Sequence, residues 1–378
     1  MQSYTSSSSQ AESRAAVAEL TAAWPATCPD LILLFSSTHQ DAAGLRAELE
    51  SKYAGCTVVG CTTSGEHARA VHRNGSVSAA ALYTPHLRWH AELIAPLSSF
   101  TPDLAALAVR RAYAALGVEP SQVDPREVVG VLLADGLSCK EEVVAAAVAE
   151  ALDGAPLVGG SAGDDLAFKQ TQVSVRGRTQ SDAAVLLVAR GPAGFFRILK
   201  HQHFQTRAVS MAVTRADPST RRVYEIDGYP AAEAYARALG IARSELAQAT
   251  FMNPVVITVQ GQPYVRSVQS VNADDSLTFY CAVEEGWILD LAGHRDMRAA
   301  LEADLNVACA NKPPAGFLLG FNCILRALEA NTRGLHAPLG ETLAGVADNV
   351  IGFDTYGEVL DGLHINQTLV ALLLERAA

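Results

Sequence analysis

The strongest constraint on what this chain can fold into is that it repeats itself. The first copy is DLILLFSS over 30–37, an amphipathic stretch from Gln40 to Tyr53, then CTVVGCTTSGE over 56–66. The second is EVVGVLLADG over 127–136, then KEEVVAAAVAEALDG, then PLVGGSAGDD over 156–165. The third is GFLLGFNC over 316–323, the helical LGETLAGVADN, then VIGFDTYGE over 350–358, where Gly352, Thr355, Gly357 and Glu358 keep the spacing of Gly60, Thr63, Gly65 and Glu66. Each copy is a short continuous apolar run, a 3.6-period segment and a second apolar run ending in a Gly-rich turn, which is the pattern of a strand–helix–strand crossover with a buried parallel pair.

Alternating segments follow the turns, SVSAAALYT (76–84), TQVSVRG (171–177) and AAVLLVA (183–189), and fit antiparallel strands returning beside each pair. The expected fold is therefore α/β with mixed sheets, two αβ halves built from repeated strand–helix–strand units. The expected division is 1–206 and 207–378, the second half opening near TRRVYEIDGYPAAEAYARALG. Ligands collect at the carboxyl ends of strands in such sheets, and glycines there admit a close backbone approach. The glycines Gly60, Gly65, Gly159, Gly160, Gly163, Gly352 and Gly357 either line a shared pocket or only shape turns.

Charge and thiols narrow the partners. A net charge of -11, from 29 Lys+Arg against 40 Asp+Glu, offers nothing to the phosphates of nucleic acid or to an anionic membrane. Seven scattered cysteines without a CxxC pair or a CxxCH site fit reduced thiols in a cytoplasmic protein, though a zinc or redox role for Cys56 and Cys61 stays open. The polar N-terminus is not a secretory signal, and no apolar run reaches the length of a membrane helix.

The segments VGCTTSGE, VGGSAGDDLAF with Thr171 after it, RVYEIDGYPAAEAYARALG, NPVVI and IGFDTYGEVLDGLHINQTL together resemble the FIST sensory domain, N- and C-terminal parts, over nearly the whole chain. GFDTYGE followed by GLHINQT is most similar to the haem-binding, nitric-oxide-sensing NosP branch of that family. The resemblance implies a non-catalytic sensor that carries haem b, binds nitric oxide and regulates a sensor histidine kinase in two-component, cyclic-di-GMP or quorum signalling. The sequence ends at LLLERAA without an output segment, so the signal is expected to pass to another protein. A homodimer is left open.

A haem held without CxxCH needs an axial side chain and an apolar pocket, and neutral imidazole is the commonest such ligand. His201 and His203 are two apart in FRILKHQHFQT, so in a strand they share one face, about 7 Å apart along the chain. At most one is the proximal ligand of a single iron. His203 is preferred because Phe204 follows it and Phe195 and Phe196 are near, and nitric oxide binding would then loosen the strand that carries it. His364 in LHINQTL is the rival. Cys281 and Cys323 read as core, while His39, His67, His72, His86 and His90 read as solvated, His336 as a turn residue and His294 as a helix cap or surface residue.

The resemblance also points to a Gly-lined ligand pocket of Gly159, Gly160, Ser161, Asp164, Asp165, Tyr356, Glu358, Asn366 and Gln367. That is the basis of the alternative, a haem-free module in which these carboxylates and amides, with Glu66, recognise a small polar ligand such as an amino acid. The same groups could instead satisfy turn backbone and cap helices. An amidohydrolase-type HxH metal site is disfavoured, since the pair comes mid-chain and only His294, His336 and His364 follow. No G-x-S-x-G, Walker loop or HExxH occurs.

Overall fold

The computed structural model describes residues 1–259, 261–310 and 312–376. All three repeats form the expected crossover. Leu31–Ser37 pairs in parallel with Thr57–Thr63, Val128–Ala134 with Leu157–Ser161, and Phe317–Cys323 with Val350–Thr355. The first strand of each pair is buried at every position. Each residue removed from water on such a strand is worth ~1.5–3 kcal/mol for a Val, Leu or Phe, which explains apolar runs with no alternation. In the first two repeats the outer faces are covered by helices Ser13–Leu20 and Ala42–Lys52, and by Pro102–Leu116 and Glu141–Ala151. On the inner side Leu33, Val131, Leu187, Phe317 and Leu372, from all three repeats, line one small apolar cavity.

Each pair sits in a six-stranded sheet whose last two strands come from a different repeat. The first sheet runs Gln2–Ser8, Val77–Tyr83, Leu31–Ser37, Thr57–Thr63, Val173–Val175, Arg178–Gln180. The second runs Arg88–Ile94, Ala184–Arg190, Val128–Ala134, Leu157–Ser161, Glu358–Leu360, Leu363–Ile365. The third runs Phe196–Gln202, Thr368–Leu374, Phe317–Cys323, Val350–Thr355, Glu66–Ala68, Val71–Arg73. The first repeat thus lends its hairpin to the third sheet, the second lends to the first, and the third lends to the second, closing a ring of exchanges.

The homologous strand glycines are sites of close approach. A Cβ at Gly60 would lie 1.7 Å from the Leu34 carbonyl oxygen, one at Gly159 2.0 Å from that of Leu132, and one at Gly352 2.5 Å from that of Gly320. None of these three has a positive φ, so they serve the contact between paired strands and not a turn.

Two compact units result, and they interleave. One holds residues 1–201, 301–364 and Leu369 onward; the other holds 202–300 and 365–368. A single cut at 206/207 therefore does not separate them, because the third repeat's strands complete a sheet of the first unit. The second unit is an antiparallel sheet of Gln262–Arg266, Val255–Val259, Ile288–His294, Phe204–Asp217, Arg222–Ile226, Leu277–Phe279 and Val268–Val271. The amphipathic helix Ala231–Leu239 packs on it through Ala231, Ala232 and Tyr235 and ends at Gly240 in the left-handed conformation with φ +72°. Among the described residues no helix is long and apolar enough to cross a membrane.

Candidate functional site

The hairpin exchange brings two histidines from the first repeat to a carboxylate of the third. His67 and His72 lie directly opposite one another on the hairpin Glu66–Ala68 and Val71–Arg73, whose first strand pairs with Val350–Thr355. His67 Nε2 is 2.7 Å from Asp354 Oδ1, and His72 Nε2 is 2.7 Å from Asp354 Oδ2. Asn322 Nδ2, on the adjacent strand, donates to Oδ1 at 2.7 Å. Gly65 makes the approach possible, since a Cβ there would fall 2.3 Å from Asp354 Oδ2 and 2.8 Å from His72 Nε2, at φ +151°. The His336 ring stacks on His72, with centroids 3.8 Å apart and planes 5° off parallel.

Electrostatics follow from that geometry. Burial alone would raise the Asp354 carboxyl, but the charges and hydrogen bonds of His67 and His72 outweigh it and hold the group below the usual carboxylate range. Burial lowers His72 as well, yet the bond to Asp354 prevails and raises it, so His72 is the imidazole that holds a proton more tightly. His67 is lowered, first by burial and with the charges of His72 and Arg326 adding to it. His336 is lowered to about 4 by burial and by His72, and is neutral near pH 7.

Two cavities meet at this cluster. An outer cleft of about 360 Å³ is lined by His39, Ser64, His72, Asn74, Asp165, Asn331, His336 and Asp354 on its polar side, and by Leu166, Ile324, Ala327 and Leu328 on its apolar side. An inner cavity of about 40 Å³, room for a few waters, is lined by His67, His72, Asn322, Arg326 and His336. Arg326 is 2% exposed; its Nη1 donates to Asn322 Oδ1 at 3.2 Å, while Nε and Nη2 have no hydrogen-bond partner among the described residues.

The residues expected to hold haem lie elsewhere. His201 is fully buried with Nδ1 2.7 Å from Asp304 Oδ2. His203 is also fully buried, at the break between Phe196–Gln202 and Phe204–Asp217. Its ring lies 4.4 Å from that of Phe204 and 5.1 Å from that of His294. His364 is buried with Nε2 3.4 Å from Ser161 Oγ and Nδ1 3.6 Å from Glu142, over Gly357, where a Cβ would meet its ring at 2.0 Å. The two cavities at His72, the one at His86 and the apolar one among the repeats are not lined by His201, His203, Phe204 or His364. In this conformation the rings of Phe204 and His294 stand beside His203, and none of these four cavities reaches it.

Of the expected pocket residues only Asp165 opens on a described cavity. It accepts from Ser37 Oγ at 2.7 Å and from Thr38 N and Oγ1 at 3.0 and 2.8 Å. Asp164 instead organises its own loop, accepting the backbone N–H groups of Phe168, Lys169 and Gln170 and the Tyr356 hydroxyl. Gly159 and Gly160 are buried strand residues, and a Cβ at Gly160 would meet Thr355 Cγ2 at 2.6 Å. Glu358 accepts from Thr355 Oγ1 at 2.7 Å, as Glu66 does from Thr63 at 2.5 Å. Asn366 and Gln367 belong to the second unit, where Asn366 accepts from Cys281 Sγ at 2.8 Å and Gln367 from Ser267 Oγ at 2.9 Å.

His67, His72, His336 and Asp354 are the residues that sequence reasoning missed. His67 and His72 are not solvated, His336 opens the helix His336–Ala344 instead of sitting in a turn, and His294 ends a strand. A signal existed: aligning the repeats on Gly60, Gly159 and Gly352 sets Thr62, Ser161 and Asp354 together, so the third copy alone carries a carboxylate there.

Two family models match the chain: the FIST N domain over residues 30–229 and the FIST C domain over 231–361. No curated protein matches it. The crystal structure of cyanuic acid hydrolase from A. caulinodans aligns with 100% of this chain and 99% of that one at 12% identity and a TM-score of 0.40, a likeness too weak to carry an argument.

Proposed function

The chain belongs to the FIST family, whose domains are signal-sensing modules, and from that premise we propose that it is a non-catalytic sensor of a small polar ligand of the amino-acid class. The observation that carries this reading is the outer cleft. Its volume of about 360 Å³ falls within the range of small-molecule sites, and it sets the Asp165 carboxylate, the Asn74 and Asn331 amides and the His72 imidazole against an apolar wall of Ile324, Ala327 and Leu328. Asp165 suits an ammonium group, and the Asn74 and Asn331 amides suit a carboxylate. Occupation of the cleft would bear on the helix Ile324–Arg333, which supplies that wall, and so pass to a partner protein.

The test is calorimetric titration of the full chain with the common L-amino acids, repeated on Asp165→Ala. Saturable heat from at least one of them, lost in the variant, is expected. No heat from any at millimolar concentration overturns the reading.

A second reading keeps haem b as the cofactor, nitric oxide as the ligand and a sensor histidine kinase as the partner. It is favoured by the full burial of the His201 and His203 imidazoles and by the NosP-like ending GFDTYGE…GLHINQT. It requires a conformer in which His203 is exposed. Haem titration decides it: a sharp Soret band that shifts with nitric oxide and vanishes in His203→Ala supports it, and an unchanged band in that variant removes His203 as the ligand.

A further inference from the structure

We propose that His67, His72 and Asp354 form a binding site for one divalent transition-metal ion of the zinc or iron(II) type. Two imidazoles and one carboxylate are a donor set that such ions favour, with further positions left for water or an exogenous ligand. Their ligating atoms all lie within 4.8 Å of one another. Around an ion bound at about 2.0–2.2 Å the donors sit roughly 3.4 Å apart, so the two 2.7 Å contacts would open by under about 1 Å.

The support around these residues is that of a built site. The Asn322 amide orients Asp354, the stacked His336 ring fixes the plane of His72, and the hairpin register fixes His67 opposite His72. Arg326 is the independent observation. Its buried Nε and Nη2 have no hydrogen-bond partner among the described residues, and Arg326 lines the same inner cavity as both histidines, where a metal-bound water or anion would satisfy these atoms. The two other repeats cannot form the site, having Thr62 and Ser161 at the Asp354 position.

The inference does not depend on the amino-acid reading. Metal binding is read without any small ligand, and the ligand titration is repeated on EDTA-treated protein, so the two can fail separately. EDTA-treated full chain is titrated with Co2+ and then Zn2+. One equivalent is expected, with cobalt d–d bands that Zn2+ displaces; His67→Ala and Asp354→Ala should weaken binding at least 100-fold, Asn322→Ala roughly 10-fold, and His90→Ala not at all. X-ray absorption of the zinc-loaded wild-type chain reads the donors without any variant and should give nitrogen and oxygen scatterers only. Absence of stoichiometric binding at 100 µM, sulfur in the zinc shell, or full occupancy in a folded His67→Ala overturns the site.

Discussion

Replacing Asp354 by alanine tests the cluster most directly, because this fully buried carboxylate is the common acceptor of three groups at 2.7 Å each. Removing it leaves the Asn322 amide and the His72 imidazole facing an apolar methyl, each a loss of about 1–3 kcal/mol. His67, whose side chain is 20% exposed, can recruit water and loses about 0.5–1 kcal/mol. The total of about 2.5–7 kcal/mol is a large share of the 5–15 kcal/mol typical of a folded domain. It should lower the melting temperature by roughly 5 °C or more for a unit of this size. The loss depends on pH with a definite sign. Asp354 is lowered on folding, so its contribution is present above its unfolded value near 3.9 and fades as pH falls through its folded one. His72 is raised on folding, so its contribution is present below about 6.5 and fades as pH rises through its folded value. Both are in force from about pH 4 to 6.5. Melting curves of wild type and Asp354→Ala in EDTA, followed by circular dichroism at pH 5.5 and 8.5, should show the larger gap at pH 5.5. A gap below about 2 °C at pH 5.5, or one equal at both values, would refute the reasoning.

Two further outcomes follow from buried groups in the same unit. Burial pushes Glu66 up to about 7 against the hydrogen bonds of Ser76 and Thr63. The folded state therefore binds the extra proton between about pH 4.3 and 7, stability falls as pH rises through that window, and Glu66→Gln should remove the slope and melt higher than wild type at pH 8; a variant with the wild-type slope contradicts the assignment. Alanine at Gly60 or Gly159 would force a methyl into a neighbouring carbonyl at 1.7 or 2.0 Å and should abolish soluble expression or lower the melting temperature by over 10 °C, while Gly345→Ala, whose nearest contact is 3.4 Å, should be neutral or slightly stabilising. Equal melting temperatures for the three would contradict the close-approach reading.

The repeats were legible because a doubly buried parallel strand leaves a local trace, an unbroken apolar run such as LILLF or VIGF. The interleaving of the units left none. Where a hairpin pairs is decided by which sheet edge it reaches, and nothing in EHARAVHR states that its edge is Val350–Thr355. The same limit misplaced the histidines. Read among Arg69 and Arg73 they look solvated, but the carboxylate that decides their environment lies 287 and 282 residues away. His201 and His203 were singled out as sharing a strand face; both are fully buried, but the strand Phe196–Gln202 ends before His203. Burial on one face does not by itself make a cavity, and there the rings of Phe204 and His294 take the space beside His203.

Internal symmetry supplies the information that local reading lacks. Six residues after Glu66, Asp165 and Glu358 stand His72, Thr171 and His364, one on each exchanged segment. Two of them meet a polar partner at the edge they join, His72 with Asp354 and His364 with Ser161, while Thr171 Oγ1 donates to Asp135 of its own repeat. Three equivalent junctions thus began with equivalent geometry and diverged in chemistry. Thr171 and Asp135 make a buried hydrogen bond, His364 lies over Gly357, and of the three only His72 lines a described cavity, a cleft bordered by His336 and Asn331 from helices of the third repeat. A module that senses needs one junction whose occupancy is variable and two that hold the frame around it. The arrangement of His67, His72 and Asp354 beside an open cleft meets that requirement, and the junctions at Thr171 and His364 do not.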